Sequence, residues 1–214
     1  MKKAAPPESV EPVLRALLNL YPDPRTELTY ADPFQLLVAV ILSAQCTDAR
    51  VNQTTPALFA RYPTAERLSA AAQSDVEALI HSCGFFRAKA KAIIGAARGI
   101  VERFGGRVPR SIEELVTLSG VGRKTASVVL NQAFDLPAIA VDTHVARVSH
   151  RLGWTRHENP VKIESDLKTL VPEARWAQIN GLLILHGRAL CKARRPLCGQ
   201  CPVSARCAYF RKLK

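Results

Sequence analysis

The 214-residue chain carries 30 Lys and Arg against 18 Asp and Glu, a formal net charge of +12, and 48% of its side chains are hydrophobic. That apolar content can bury one sizeable core or two smaller ones, which excludes a disordered chain, and the positive surplus favours a polyanionic partner such as nucleic acid. The longest apolar run, residues 34–44, contains Gln35 and falls short of the roughly 20 apolar residues a membrane-spanning helix needs, so no membrane association is expected.

From the N-terminus, Met1-Lys2-Lys3 leads into Ala4-Ala5-Pro6-Pro7-Glu8 with no apolar segment behind it. This predicts no secretory signal, a cytoplasmic protein and reduced cysteines. Asp32-Pro33 predicts a capped helix running through Ala44, because proline at the first helical position loses no hydrogen bond. Ser74-Asp75-Val76-Glu77 matches a capping box ahead of Val76, Leu79 and Ile80, with Gly84 as the left-handed stop. Another helix is expected over Arg87 to Phe104, closed by Gly105-Gly106. Ser111-Ile112-Glu113-Glu114 repeats the capping-box pattern before Leu115 and Leu118. Helices are expected over Glu113 to Leu118 and Thr125 to Phe134, and Asn159-Pro160 and Pro172 mark further boundaries. Trp176 to Leu190 completes the series, so the expected class is all-α.

Three motifs carry chemistry. Ser119-Gly120-Val121-Gly122-Arg123-Lys124 forms a tight corner between two helices, where glycines permit positive φ and close backbone approach. Amides opening the second helix, at its positive dipole end, suit a phosphate oxygen. The same corner also fits an ordinary helix-to-helix turn with steric glycines and solvated basic side chains.

The second motif is Cys191, Cys198, Cys201 and Cys207, spaced C-x6-C-x2-C-x5-C in an Arg- and Pro-rich tail. Four thiolates suit tetrahedral zinc or a [4Fe–4S] cluster, and spacing alone does not choose between them. Cys46 and Cys83, in apolar helical surroundings, read as buried free thiols rather than ligands or nucleophiles. The third motif is Ala140-Val141-Asp142-Thr143-His144-Val145-Ala146-Arg147-Val148, where Asp142 precedes an amphipathic helix and its default role is to cap it.

Taken in order, "LSGVGRKTASVVL", "AVDTHVARV" and the four-cysteine tail resemble endonuclease III, the bacterial DNA glycosylase and abasic-site lyase family of the helix-hairpin-helix superfamily. The resemblance runs from about Pro12, through "PFQLLVAVILSAQCTDARVN", to Cys207.

It implies two helical domains flanking a DNA-binding cleft. Residues 24–136 would form a helical barrel with the hairpin, and residues 1–23 plus 137–214 a second domain around a [4Fe–4S] cluster held by the four tail cysteines. Lys124 matches the catalytic lysine, whose neutral amine attacks C1′ of the damaged nucleoside, its pKa lowered by a desolvated site or neighbouring cations. Asp142 matches the catalytic aspartate facing it across the cleft. Gln45 matches the residue that fills the space left by a flipped nucleotide, and Phe85 stands where the family inserts an apolar wedge, although a core contact fits Phe85 as well. Gly120, Val121, Gly122, Arg123, Thr125 and His144 complete the implied DNA-binding set. Lys192, Arg194, Arg195 and Arg206 would add phosphate contacts around the cluster loop.

The implied partner is double-stranded DNA containing damaged bases or abasic sites, bound by a monomer associated with the bacterial nucleoid. Oxidised pyrimidines are the implied substrates. Two departures stand out: Ser119 replaces a usual proline, and Phe85 replaces a commonly aliphatic wedge. The enzyme alternative is an adenine glycosylase, which lacks a lysine at the position of Lys124 and carries a further C-terminal domain. The non-enzyme alternative is a non-catalytic, zinc-bound DNA-binding module.

Overall fold

The computed structural model describes residues 10–213, so the reading of the first eight residues as lacking a signal lies outside the described part. Its helices, in chain order, are α1 (Val10–Leu20), α2 (Pro33–Leu42), α3 (Asp48–Arg61), α4 (Ala65–Ser69), α5 (Gln73–Ile80), α6 (Phe86–Phe104), α7 (Ile112–Leu115), α8 (Arg123–Phe134), α9 (Thr143–Leu152), α10 (Pro160–Leu170), α11 (Trp176–Ala189) and α12 (Ala208–Arg211). No strand occurs among the described residues, and no helix is long and apolar enough to cross a membrane. The chain divides into a continuous unit, Glu27–Asp135, and a split unit of the residues up to Thr26 and from Leu136 onward.

In the continuous unit α2 is apolar on nearly every face. Gln35 is the exception, and Phe34 and Leu36 to Leu42 are all buried. Asp32 Oδ1 accepts the Gln35 amide at 2.9 Å and Pro33 follows, as expected; Ser43 ends the helix before Ala44. The same unit buries Val51 and Leu58 of α3, Ile80 of α5, Ile93 and Ile100 of α6, and Leu115 of α7, all at 0% exposure. Each such side chain contributes about 1.5–3 kcal/mol through removal from water.

Two expectations fail in the α5 to α6 passage. The Ser74 capping box does not form, because α5 starts at Gln73 behind Ala72 with no side-chain cap, which places Ser74 inside the first turn. Gly84 does not take the left-handed position either; Phe85 does, at φ 57°. A Cβ built on Gly84 meets the Gln45 carbonyl oxygen at 3.9 Å, so this glycine lies beside another loop's backbone, and the left-handed turn falls to the next residue. Downstream, α6 runs to Phe104 and Gly105 and Gly106 close it at φ 57° and 78°.

The helix expected over Glu113 to Leu118 stops at Leu115, and Leu118 folds back through a turn to donate its amide to Leu115 O at 3.0 Å. Ser111 does cap it. Its Oγ accepts the Glu114 amide at 3.2 Å and donates to Glu114 Oε2 at 2.7 Å.

The split unit has its own core. Leu14 and Leu17 of α1, Val145 and Val148 of α9, Ile163 and Leu167 of α10, Ile179 and Leu182 of α11, and Trp154 are all buried together. Asn159 caps α10 by accepting the Val161 amide at 2.9 Å, and Pro160 follows it. Gly181 of α11 is compulsory, because a Cβ there would land on the Pro24 carbonyl oxygen.

Candidate functional site: hairpin, aspartate cap and thiol cavity

The hairpin is built on α6. Its exposed-to-buried sequence sets Leu118 and Val121 inward at 3% and 6% exposure, while Ser119, Gly120 and Gly122 remain exposed. The receiving face of α6 is made of small residues. A Cβ on Gly95 would approach Ser119 Cβ to 2.8 Å, one on Gly99 would approach Leu118 Cδ2 to 2.9 Å, and Ala92 lies beneath Gly120. Arg103 pins the entry by donating to Thr117 Oγ1 at 2.9 Å and Thr117 O at 3.2 Å.

The two glycines then separate in role. Gly120 sits at φ 73° and a Cβ there would come within 2.7 Å of Ala92 Cβ, so the fold itself requires it. Gly122 has ordinary φ of −92° and open space where a Cβ would go. It is the residue before α8, and no side chain caps that helix. An uncapped, uncrowded helix start leaves amides and the positive dipole end approachable by an anion.

Helix α8 begins at Arg123 rather than Thr125, which puts Lys124 and Thr125 in its first turn. Lys124 is exposed.

Beside the hairpin, an open recess of about 270 Å³ is lined by Gln45, Phe85, Gly120, Lys89 and neighbouring apolar residues of α2 and α6. Gln45 and Phe85 both hold positive φ, 52° and 57°, and Phe85 is 69% exposed. A solvent-facing aromatic in a left-handed conformation is not a core contact, and such strain collects where a protein meets a ligand.

In the split unit Asp142 precedes α9, and its Oδ1 accepts the His144 and Val145 amides, both at 2.8 Å. Both capping bonds use the same oxygen. The segment leading to it is held by buried Asn180 of α11, whose Oδ1 accepts the Ala140 amide at 2.9 Å and whose Nδ2 donates to Ala138 O at 3.1 Å. Nothing in the sequence near Asp142 points to Asn180, 38 residues further on. His144 Nδ1 lies 3.0 Å from Arg147 NH2, and burial holds this imidazole below its ordinary pKa, with Asp142 opposing and Arg147 and Arg188 reinforcing that shift.

All four tail cysteines line one cavity, together with Val148, Arg151 and His186. Among the described residues no three His, Cys, Asp or Glu side chains close on a single metal-ion position. The thiols surround this cavity. Burial and then the neighbouring thiols Cys207 and Cys191 push the Cys198 thiol up, and burial is the largest upward influence on Cys201.

Residues missed by the sequence reading brace this loop. Arg151 donates to Lys192 O at 2.7 Å and Ala193 O at 3.0 Å and approaches Cys191 Sγ at 3.4 Å, and Arg147 donates to Cys191 O at 3.1 Å. His186, buried and held below its ordinary pKa by that burial, lies 3.5 Å from Cys201 Sγ through Nε2. The four-residue spacing of Arg147 and Arg151 on α9 was the available signal. Lys192, Arg194, Arg195 and Arg206 are all exposed.

Comparison with known proteins decides the family. Residues 38–173 match the model of the HhH-GPD superfamily of base excision DNA repair proteins, and residues 191–207 match the iron-sulfur binding domain of endonuclease III. The chain belongs to the endonuclease III family. It is 53% identical over 207 residues to endonuclease III of Synechocystis sp., covering 96% of this chain and 94% of that protein. It is 42% identical over 204 residues to endonuclease III of Escherichia coli (strain K12), covering 94% and 95%. Among solved structures, a trapped endonuclease III-DNA covalent intermediate superposes with TM-score 0.91 at 40% identity, covering 98% of this chain and 99% of that one. A thermostable thymine-DNA glycosylase superposes with TM-score 0.86 at 25% identity over 96% and 98%. With the endonuclease III iron-sulfur domain matched across all four cysteines, the tail is a [4Fe–4S] site. The zinc-bound, non-catalytic module has no support.

Proposed function

We propose that this member of the endonuclease III family removes oxidised pyrimidines from duplex DNA and cuts the strand at the resulting abasic site, with Lys124 as nucleophile. The observation that carries the reading is the placement of Lys124, exposed in the first turn of α8, immediately behind the uncapped start at Gly122. A phosphate held there would bring the sugar backbone to the amine. It reads no base, so it positions DNA without choosing sequence. That a relative with the same fold was captured as a covalent DNA intermediate supports an enzyme that bonds to its substrate.

The chemistry then proceeds on this chain's own groups. Phe85 enters the base stack and Gln45 occupies the place of the nucleotide that swings out, at an unstacking cost that is lowest for damaged bases. Lys124 Nζ attacks C1′ through its lone pair as the damaged base leaves with the bonding pair. Asp142, held by its own cap bonds and by Asn180 upstream, supplies the carboxylate that opposes positive charge on the sugar. The C1′–O4′ bond then opens, O4′ leaving with the bonding pair and taking up a proton, to give a Schiff base that acidifies the C2′ proton; loss of that proton expels the 3′ phosphate and leaves a nick. Arg123, Thr125, Val121 and His144 add contacts to the bound strand, and Cys191, Cys198, Cys201 and Cys207, which would hold the cluster, fix the loop whose Lys192, Arg194, Arg195 and Arg206 face the duplex. The protein acts as a monomer, in the cytoplasm alongside the chromosome.

Borohydride trapping tests the reading, using duplexes that carry one oxidised pyrimidine, one abasic site or no lesion. A covalent complex on both damaged duplexes and none on the intact one is expected. Trapping on the abasic duplex alone would remove the pyrimidine assignment, and no trapping would remove the lysine mechanism.

A further inference from the structure

Cys46 and Cys83 belong to neither the cluster nor the reaction, yet each adjoins one of the two strained loops that line the recess. Cys46 follows Gln45, and Cys83 precedes Gly84 and Phe85. The loops touch, since a Cβ on Gly84 would lie 3.9 Å from Gln45 O, and the electrostatic influence of Cys46 reaches Cys83. Cys83 is wholly buried and its Sγ lies 3.7 Å from Thr54 Oγ1, whereas Cys46 is half-buried and open to small molecules.

A third group completes the cluster of side chains. Lys89 of α6 is 6% exposed, its Nζ has no hydrogen-bond partner among the described residues, and its charge acts on Cys83. A lysine side chain buried without a polar partner is costly. Its influence on Cys83 favours the thiolate.

We propose that Cys46 and Cys83 form a redox modification site, joined by a hydroperoxide into a disulfide that ties the Gln45 and Phe85 loops together and stops them entering DNA. Cys46 sulfur attacks one peroxide oxygen, the O–O bond breaks, and an alcohol or water departs, leaving a sulfenic acid on Cys46. Cys83 sulfur then attacks Cys46 sulfur, and hydroxide leaves with the Cys83 proton as water. Two thiols and one peroxide thus give one disulfide, one alcohol or water, and one further water. Burial holds the Cys83 thiol up and keeps it from being the first to react; Lys89 stabilises its thiolate during the second step. The functional half of the inference rests on the DNA reading above, because Gln45 and Phe85 must move into the duplex for the tie to matter.

The test uses the iron-loaded, full-length protein, reduced and then treated with about one equivalent of hydrogen peroxide, with visible absorption followed to monitor the cluster. Mass spectrometry of a non-reduced digest should find the Cys46 and Cys83 peptides joined. Nicking of an abasic duplex should fall about tenfold or more, since misplacement by around 1 Å costs up to roughly a hundredfold. A thiol reductant should restore it, and Cys46→Ser and Cys83→Ala should neither cross-link nor lose nicking. Absence of the joined peptide, a cross-link that leaves nicking unchanged, or equal loss in wild type and Cys46→Ser would each overturn the proposal. Failure of the reduced protein to nick at all would instead strike the enzymatic reading.

Discussion

Gly120 rests on Ala92 so closely that a Cβ added to the glycine would come within 2.7 Å of the alanine Cβ. Its φ of 73° adds a second reason against any side chain there. Gly120→Ala should therefore cost about 2–4 kcal/mol, from left-handed strain and overpacking together, and lower Tm by several degrees. Gly122→Ala should leave Tm within about 2 °C but weaken DNA binding, because the new methyl meets no protein atom and stands in the path of a phosphate. Thermal melts and DNA titrations on the two variants separate a steric glycine from a binding one. Equal loss of stability in both would contradict that division.

Lys124 and Asp142 should respond differently to isosteric change. Lys124→Gln should abolish borohydride trapping while sparing DNA binding and Tm, since the side chain is exposed and packs against nothing that must be kept. Asp142→Asn keeps an oxygen for the two capping amides and should lose most base-removal activity with little loss of stability. Asp142→Ala should lose both, at about 1 kcal/mol for the missing cap. Nicking that survived Lys124→Gln would place the nucleophile elsewhere.

Iron loss should act on the split unit first. Cys201→Ser should yield protein with reduced iron content and weaker visible absorption, and with a basic loop that no longer holds DNA at moderate salt. The affinity lost should be electrostatic, so the slope of log K against log salt should become shallower than in the loaded protein. An unchanged slope would detach the cluster loop from DNA binding.

The pH dependence carries a sign set by His144. Burial, reinforced by Arg147 and Arg188 and opposed by Asp142, holds its folded pKa below the ordinary 6.5. The unfolded chain therefore takes up the proton first as pH falls. The contribution to stability is intact above about 6.5 and is lost as pH drops below it towards the folded value. Protonation also removes the Nδ1 acceptor that faces Arg147. Melts from pH 8 to 5 should show this loss in wild type and a shallower one in His144→Gln.

Much of this was legible locally. Asp32, Ser111 and Asn159 cap their helices because a short polar side chain two or three residues from an amide needs no help from the rest of the fold. The same pattern at Ser74 misled, because α5 begins at Gln73 with its first turn supported by backbone bonds to Ala72 O at 3.1 and 3.3 Å. Gly84 misled for a different reason: glycine can serve close approach as well as positive φ, and sequence does not say which. The thiol spacing was visible, but the Arg147, Arg151 and His186 bracing was not, since it joins α9 and α11 to a loop distant in the chain. Asn180 was invisible for the same reason, although it steadies the segment before the aspartate.

The small-residue face of α6 has a metric consequence. Phe85 stands at the N-terminal end of this helix and Gly95 receives Ser119 of the hairpin on its flank, so one unbroken rod joins the proposed wedge to the entry of the proposed phosphate grip. Nine residue steps from Phe86 to Gly95, at about 1.5 Å each, span about 14 Å of helix, or roughly four nucleotides of a strand. In the proposed DNA reading α6 is a gauge for how far from the gripped phosphate the duplex is pried open, and its residue count, more than any side chain upon it, carries the measurement.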